Sequence, residues 1–284
     1  MKISEILKSD DCTISFEIFP PKKQEEIENI EPIAKELKKL NPDFVSVTCG
    51  AGGSGGKNTT IEVASILKNK YDIESMAHMT CIAATLDNIK KNINFICNEK
   101  IENVLALRGD IPKDMDKNQI ISDYGFAYEL ICDIKKYSNL GIGAAAYPEG
   151  HIDCEDFDLS VAHLKEKQDC GAEFFVTQLC FSNDYIYKFL DKSAQKGINA
   201  PITLGIMPMM SRAQVERMIF MCGVTLPSPL IKIINKYSEN EEDLFKAGIE
   251  YAAEQIRELK KNRVDGIHIY CMNKPEVAKI LCNA

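Results

Sequence analysis

The sequence predicts an α/β protein folded as a single (β/α)8 barrel, the TIM-barrel fold, with residues 1–284 forming one domain. Short apolar runs alternate with amphipathic stretches eight times, at a spacing of about 30 residues, as expected for βα units that close into a barrel. No change in charge or composition marks a second domain or a linker. A doubly wound open sheet uses the same alternation, but eight units without such a change favour closure.

The predicted strands are short runs rich in apolar and β-branched residues, bounded by turn residues. They lie at 13–19, 44–48, 76–80, 103–107, 141–146, 173–178, 202–206 and 264–269. Periodic apolar positions between them predict helices at 24–40, 59–70, 86–98, 122–137, 155–170 and 183–197, then in broken form at 211–262 and finally after Pro275. Glycine and prolines at 223–229 interrupt the long stretch, which predicts an elaborated segment between strands seven and eight.

The overall composition is that of a soluble globular protein, with 45% hydrophobic and 27% charged residues. The net charge of -8 argues against a nucleic-acid or anionic-membrane partner. The N-terminus lacks the apolar core of a signal peptide, and no apolar run approaches the ~18 residues of a membrane helix. The expected location is therefore the cytoplasm.

The cysteines are scattered singly along the chain, which contains 11 cysteines and four histidines. No two cysteines have the C-x-x-C spacing of zinc and iron–sulfur sites, so no metal site is expected. The pattern favours reduced thiols used as small core residues.

Glu17 is the most informative residue of the first strand. It lies among Phe and Ile residues, and Pro20 and Pro21 then end the strand. A carboxylate in apolar surroundings is expensive to ionise, so this acid is expected to hold a proton near neutral pH and act as a general acid. The alternative is an outward-facing Glu on an edge strand.

Further polar residues stand where the predicted strands end, and in TIM barrels these ends converge on one active site. They are Thr48, His78, Arg108 with Asp110, Tyr147 with His151, and Gln178. Any one of them alone is explained as a satisfied structural group. Several together indicate a pocket, because apolar residues would fill the barrel at lower cost.

The glycine-rich segment at 50–58 follows the second strand. It fails the P-loop pattern, because Ala51 replaces the first glycine and Asn58 the Ser or Thr after the lysine. It matches G-x-G-x-x-G, but the next strand lacks the terminal acid of a Rossmann site. A flexible glycine loop over a pocket is the better interpretation.

Several sequence blocks together resemble the bacterial type of flavin-dependent methylenetetrahydrofolate reductase. They are SFEIFPPK (15–22), VSVTCGA (45–51), HMTC (78–81), ALRGDIP (106–112) and AAYPEGH (145–151), followed by TQ (177–178) and GIMP (205–208). The resemblance runs from residue 13 to about residue 279, within a flavin-containing (β/α)8 catalytic domain. It implies that NAD(P)H reduces a flavin, which then reduces 5,10-methylenetetrahydrofolate to 5-methyltetrahydrofolate, a step of one-carbon metabolism and methionine biosynthesis.

The resemblance also implies roles for individual residues. Glu17 corresponds to the acid that protonates N10 of the folate, and Asp110 to the catalytic acid that binds the pterin beside the flavin. The flavin-contacting positions are Thr48, Ala51, His78, Arg108, Gly109, Asp110, Tyr147, His151 and Lys167. The folate-binding positions are Asp110, Gln178, Gln214 and Lys274.

The chain departs from the family pattern on the helix after strand five. Ser160, His163 and Glu166 stand where the family presents Asp, Asn and Arg toward the adenosine-phosphate half of the flavin. The expected cofactor is FAD, with FMN as the alternative. One alternative function is a catalytic subunit that receives electrons from an iron–sulfur partner protein. Another is a non-catalytic barrel that binds folate or nucleotide. A homo-oligomer is a further alternative, because barrels often associate.

Overall fold

The structure is a computed structural model that describes residues 1–9, 11–49, 57–111, 122–154 and 156–284. The glycine-rich segment, including Ala51, therefore lies outside the described residues. The strands are β1 (Thr13–Ile18), β2 (Phe44–Val47), β3 (Ser75–Thr80), β4 (Asn103–Leu107), β5 (Gly141–Ala146), β6 (Phe174–Thr177), β7 (Ile202–Ile206) and β8 (Gly266–Tyr270).

The helices of the described residues follow the strands in the order expected of βα units. They are α1 (Ile3–Ile6), α2 (Ile30–Lys38), α3 (Lys57–Ser65), α4 (Leu86–Asn98), α5 (Ala127–Tyr137), α6 (Phe157–Cys170), α7 (Asn183–Gln195), α8 (Arg212–Cys222), α9 (Ser228–Lys236), α10 (Glu241–Lys261) and α11 (Pro275–Cys282). A 3-10 helix at Gln24–Asn29 precedes α2, and a π-helical turn at Ile66–Lys70 extends α3.

The eight strands form a closed parallel barrel in the order β1 to β8, which confirms the predicted fold. Closure places β1 between β2 and β8, so Glu17 lies opposite Ser46 on one side and Tyr270 on the other. The edge-strand alternative for Glu17 is thereby excluded, because a closed barrel has no edge strand.

Side chains of each strand alternate between the barrel interior and the surrounding helices. On β1, Phe16 and Ile18 are buried in the outer apolar layer, which also contains α2 residues such as Ala34 and Leu37. Ser15 and Glu17 are the alternate residues and lie on the interior face. The sequence therefore places polar groups inside the barrel and uses the apolar positions to hold the helices.

The N-terminal end of the barrel is closed by α1, a short helix that the sequence did not predict. Ile3 and Leu7 pack in one buried apolar cluster with Phe44 and Phe174 from the strands. The backbone N–H of Ile3 donates to Asn103 Oδ1 at 2.8 Å. With this end plugged, access to the interior is from the C-terminal end of the strands.

The segment between β7 and β8 contains α8, α9 and α10, as the broken pattern at 211–262 predicted. Gly223 ends α8 with a left-handed φ of 66°, a conformation that glycine adopts without strain. These helices pack with the ends of β6, β7 and β8 through a separate apolar cluster that includes Phe181, Met207 and Leu244.

Candidate functional site

Glu17 lies on the interior face of the barrel and is only 9% exposed. Its Oε2 accepts a hydrogen bond from Ser46 Oγ at 3.4 Å. The Nε2 atoms of His78 and His268 lie 3.5 and 3.6 Å from the same oxygen. The predicted burial is confirmed, but the predicted apolar surroundings are wrong, because Phe16 and Ile18 point outward and the interior neighbours are hydroxyls and imidazoles.

His268 of β8 is fully buried beside Glu17 and was not identified from the sequence. Its Nδ1 lies 2.7 Å from Ser15 Oγ, and its Nε2 lies 3.2 Å from Ser46 Oγ. The ring also stacks on Phe44, with centroids 5.8 Å apart and planes inclined by 19°. The available sequence signal was the period of two in β8, which puts Gly266, His268 and Tyr270 on one face.

Tyr270 ends β8 and lies opposite Glu17 of the neighbouring strand β1. Its hydroxyl donates to the carbonyl oxygen of Thr177 at 2.7 Å. Burial raises the pKa of Tyr270 well above its ordinary value, and the Glu17 carboxylate raises it further. Gly205 makes room for the ring, because a Cβ at this position would lie 2.6 Å from Tyr270 Cε2.

His78 was predicted at a strand end and lies on the interior face of β3, where it is 8% exposed. Burial lowers its pKa to about 4, although the Glu17 carboxylate opposes this shift. Its buried Nε2 has no hydrogen-bond partner within the described part of the chain. His78 is therefore neutral near pH 7 and has a polar atom available at the site. We call Ser15, Glu17, Ser46, His78, His268 and Tyr270 the interior network.

A second feature, which we call the side cavity, has a volume of about 380 Å³ and opens beside β4 and β5. It is lined by Ala106, Leu107, Arg108, Phe126, Ala127, Tyr128, Ala145, Tyr147, His151, Asp153, Cys154, Asp156, Leu159, Ser160, His163 and Lys167. Four residues predicted to contact a cofactor, Arg108, Tyr147, His151 and Lys167, meet here. Thr48 and His78 are not part of this lining.

Lys167 reaches from α6 into the side cavity. Its Nζ donates to the carbonyl oxygen of Ala145 at 2.7 Å and lies 5.5 Å from the centroid of the Tyr147 ring. Desolvation by the surrounding protein lowers the pKa of Lys167 to about 8. Burial raises the pKa of Tyr147 to about 12, an effect that Arg108 opposes. The cavity thus combines an ammonium group with a neutral phenol.

Arg108 forms an ion pair with Asp153, with Nη2 and Oδ2 2.7 Å apart. The sequence had placed Arg108 and Asp110 side by side in one turn, but the hydrogen-bonded partner comes from the loop after β5. His151 Nδ1 accepts from the backbone N–H of Asp153 at 3.0 Å, so this nitrogen carries no proton. Burial lowers the pKa of His151, and nearby Arg108 lowers it further.

Aromatic rings rim the side cavity, and this feature was not identified from the sequence. Phe126 is 52% exposed and lies parallel to Tyr128, with centroids 5.8 Å apart. It also lies parallel to His163, at 6.4 Å. His163 Nδ1 contacts Glu166 Oε2 at 2.9 Å, so two of the positions that depart from the family pattern bind each other.

The predicted folate-binding residues lie on different segments near the C-terminal ends of the strands. Gln178 follows β6, and its Oε1 accepts from the N–H of Leu179 at 2.9 Å. Gln214 lies on α8 and accepts from the N–H of Met210 at 2.7 Å. Lys274 is exposed before α11, with Nζ 5.7 Å from the Phe245 ring centroid. Each is held by local contacts.

Asp110 and Gly109 follow β4. Asp110 is exposed at the mouth, within electrostatic reach of Tyr147, His151 and Cys222. Gly109 has a φ of 84°, and a Cβ there would lie 2.9 Å from Thr80 Cβ. The turn that presents Asp110 therefore requires glycine. Thr48 lies after β2, where its N–H donates to the carbonyl oxygen of Ile18 at 3.1 Å.

The described residues also lack two kinds of feature. No group of three or more His, Cys, Asp or Glu side chains in these parts of the chain is arranged to hold a metal ion. None of the helices described is long and apolar enough to cross a membrane.

A family model described as "Methylenetetrahydrofolate reductase" matches residues 2–284. The chain belongs to the methylenetetrahydrofolate reductase family. Its similarity to the Arabidopsis thaliana "Methylenetetrahydrofolate reductase (NADH) 1" is 34% identity over 96% of the chain, but over only 48% of that relative. The chain thus spans about half the length of such plant relatives. The "5,10-methylenetetrahydrofolate reductase" of Escherichia coli is 29% identical, with 95% of this chain and 89% of that protein aligned.

Among solved structures, a Clostridium thermocellum protein covers 99% of this chain and 98% of its own length, with a TM-score of 0.69 and 16% identity. That protein is described as binding two copies of 5-methyl-5,6,7,8-tetrahydrofolic acid. At this level of identity, the likeness shows the shared barrel fold. Family membership rests on the sequence match.

Proposed function

We propose that this chain is a flavin-dependent methylenetetrahydrofolate reductase in which Glu17 is the general acid. The observation that carries the proposal is the position of Glu17, an acid near the C-terminal end of β1 that contacts hydroxyl and imidazole groups inside the barrel. A buried acid at that end suits proton transfer to a substrate that enters from the mouth. The names of the family's relatives supply the substrate.

The side cavity fits a flavin in size and in chemistry. Its volume of about 380 Å³ lies within the ~300–1,000 Å³ range of small-molecule sites. Lys167 and Arg108 would attract phosphate, Tyr147 and His151 would contact the ring system, and the Phe126 ring would stack an adenine, which favours FAD over FMN. Thr48, Ala51, Gly109 and the unpartnered Nε2 of His78 would complete the flavin contacts. When bound, the flavin accepts hydride from the nicotinamide and passes hydride to the folate.

The chain's own residues provide the proton and orient the folate. Glu17 donates a proton to N10, which opens the five-membered ring and leaves the one-carbon unit on N5 electrophilic. Asp110 accepts hydrogen bonds from N–H groups of the pterin, and its negative charge stabilises the cation formed by ring opening. Gln178 and Gln214 supply amide contacts, and Lys274 supplies a positive charge for the carboxylate tail of the folate.

The electron donor is proposed to be NADH, as in the names of the plant relatives. Anaerobic bleaching of the flavin tests the proposal. The purified chain is loaded with FAD, then mixed with NADH, and methylenetetrahydrofolate is added last. Bleaching by NADH followed by return of the flavin absorbance on adding folate is the expected result.

Other outcomes of the same experiment separate the alternatives. If NADH and NADPH both fail to bleach the flavin, but dithionite-reduced protein is reoxidised by methylenetetrahydrofolate, electrons must come from a partner protein. If the reduced flavin is not reoxidised by the folate, the reductase proposal is wrong and a folate- or nucleotide-binding barrel is favoured.

A further inference from the structure

We propose that His268, together with Ser15 and Ser46, is a positioning residue that holds Glu17 by its Oε2 atom and leaves Oε1 to deliver the proton. This inference rests on the proposed function, because it assigns the groups that support its acid. The unit is assembled from β1, β2 and β8, and none of its three supporting residues was identified from the sequence as part of the site.

The geometry forms a continuous chain of polar contacts. Ser15 Oγ lies 2.7 Å from His268 Nδ1, His268 Nε2 lies 3.2 Å from Ser46 Oγ, and Ser46 Oγ lies 3.4 Å from Glu17 Oε2. None of these contacts involves Oε1 of Glu17. Ser15, Ser46 and His268 are each 0% exposed, so water does not compete for their hydrogen bonds.

The protons along this series of polar contacts, from Ser15 to Glu17, can be arranged in two ways. When Glu17 is ionised, Ser46 donates to Oε2 and accepts from His268 Nε2–H, so Nδ1 accepts from the Ser15 hydroxyl. When Glu17 is protonated on Oε1, Oε2 is a neutral carbonyl oxygen and a weaker acceptor, so Ser46 can turn its hydroxyl from Oε2 to His268 Nε2. The ring proton is then on Nδ1 and is accepted by Ser15. The second arrangement leaves Ser15 free to donate to the carbonyl oxygen of Ile267, which lies 3.3 Å away.

The imidazole holds one proton in both arrangements, so no charge is introduced into the barrel interior. The buried ring therefore provides hydrogen bonds that suit either charge state of Glu17, because each ring nitrogen can act as donor or acceptor. A general acid is both protonated and ionised in each turnover. Hydrogen bonds that stabilise only one of these states would oppose either the transfer of the proton or the reprotonation of the acid.

Three other titratable side chains lie near Glu17 among the described residues, but none of them donates a hydrogen bond to its carboxylate. The Nε2 atom of His78 on β3 lies 3.5 Å from Oε2 but makes no hydrogen bond to it or to any other described residue, and we assign this atom to the proposed flavin contacts. The Tyr270 hydroxyl is committed to the Thr177 carbonyl, and Cys271 Sγ donates to the backbone oxygen of Glu17. We therefore assign the positioning of the Glu17 carboxyl group to Ser46 and, through it, to His268 and Ser15.

The kinetic test uses Ser46→Ala, which removes the hydroxyl that links His268 to Glu17 and keeps the packing around the His268 ring. We expect reoxidation of the reduced flavin by methylenetetrahydrofolate to slow roughly tenfold at pH 7, part of the ~10²–10⁴-fold that a positioned acid contributes. Loss of donors to the carboxylate should also move the alkaline limb of this step to higher pH. Reduction of the flavin by NADH should be unchanged.

His268→Gln and Ser75→Ala complete the comparison. The glutamine amide can replace Nε2 as a donor toward Ser46, so His268→Gln should retain more activity than Ser46→Ala. Ser75 is a buried serine on β3 without a hydroxyl partner in the described residues, so Ser75→Ala is the matched control and should behave as wild type. The proposal is overturned if Ser46→Ala leaves the pH profile of the folate step unchanged, or slows both half-reactions equally.

A second measurement does not depend on turnover. The chain has four histidines, so ¹⁵N spectra of the purified full-length protein are simple, and His268→Gln assigns the His268 signals. At pH 8 we expect the Nε2–H tautomer of His268 in the wild type and the Nδ1–H tautomer in Glu17→Gln, which imitates the protonated acid. The same tautomer in both proteins would contradict the proposal. If the wild type lacks the folate reaction but shows this tautomer change, the proposed function fails and the positioning role of His268 stands.

Discussion

The interior network and the side cavity are neighbouring parts of one barrel mouth, and they differ in how exposed their functional side chains are to solvent. In the interior network, Glu17 and His268 are 9% and 0% exposed and are held by side chains from neighbouring strands. In the side cavity, Phe126 is 52% exposed, and Arg108 is paired with an Asp153 side chain that is 62% exposed. Tyr270 of the interior network and Tyr147 of the side cavity are close enough to act on each other electrostatically, so the two regions adjoin.

The difference separates proton chemistry from cofactor binding. A general acid needs a fixed position and little water, which a crowded barrel interior provides. A large anionic cofactor needs space and cations that can exchange their partners, which the open cavity between β4, β5, α5 and α6 provides. Four predictions test this contrast, from the largest expected effect to the smallest.

Glu17→Gln should have the largest effect, because it should slow the folate half-reaction and leave the NADH half-reaction unchanged. Without a proton donor for N10, the folate step should fall by about 10²–10⁴-fold, while reduction of the flavin by NADH stays near wild type. Stopped-flow measurement of each half-reaction checks this. Glu173→Gln is the matched control, because Glu173 binds Lys2 and Ser4 at the opposite end of the barrel. Equal loss of both half-reactions in Glu17→Gln would contradict the assignment of Glu17 as the specific acid.

His78 should make the folded protein sensitive to acid. Burial holds the pKa of folded His78 at about 4, whereas its ordinary value is 6.5, so the unfolded chain binds the proton first as pH falls. The free energy of unfolding should therefore fall by about 3 kcal/mol between pH 6.5 and 4 on account of this residue. Urea unfolding of His78→Gln should show a weaker loss over this range. An equal change in His163→Gln, on the exposed face of α6, would argue against the explanation.

Gly205→Ala should show how tightly the interior network is packed. The added methyl group would press on the backbone carbonyl oxygen of Thr177 and lie 2.6 Å from Tyr270 Cε2, so strands β6 and β7 must shift as well as the ring. Overpacking of this kind costs about 1–3 kcal/mol of unfolding free energy. Gly125→Ala, beside the side cavity, is the control, since its nearest contact would be an ordinary 3.6 Å. Thermal and urea unfolding compare the two variants, and equal stability would show that the interior is not tightly packed.

Lys167 should make cofactor affinity depend on pH in the side cavity. Its pKa of about 8 is well below the ordinary value of 10.5. The side chain therefore loses its positive charge as the pH rises from 7 to 9. Flavin affinity should fall by up to about tenfold over this range as the positive charge disappears. Quenching of flavin fluorescence measures the affinity. Lys167→Arg stays charged and should remove this pH dependence; persistence of the wild-type dependence would exclude Lys167 as its source.

The sequence predicted where the elements lie because their signals are local. The period of two and the turn residues located β4, β5 and β7 to the residue, and the breaker at 223–229 marked the elaborated segment. The short plug α1 was missed, because four residues carry no helical period. Predicted strand 264–269 ended before Tyr270, although Tyr270 continues the interior face of β8.

The sequence by itself determined the barrel, the family and the position of Glu17 as a strand acid, since each depends on neighbours along the chain. Tertiary structure alone decided what surrounds that acid. His268 and Ser15 are 253 residues apart and meet because the last strand closes on the first. Arg108 likewise pairs with Asp153, 45 positions away, instead of Asp110 in its own turn. Local periodicity fixes the face on which a side chain lies, whereas closure of the barrel fixes its partners.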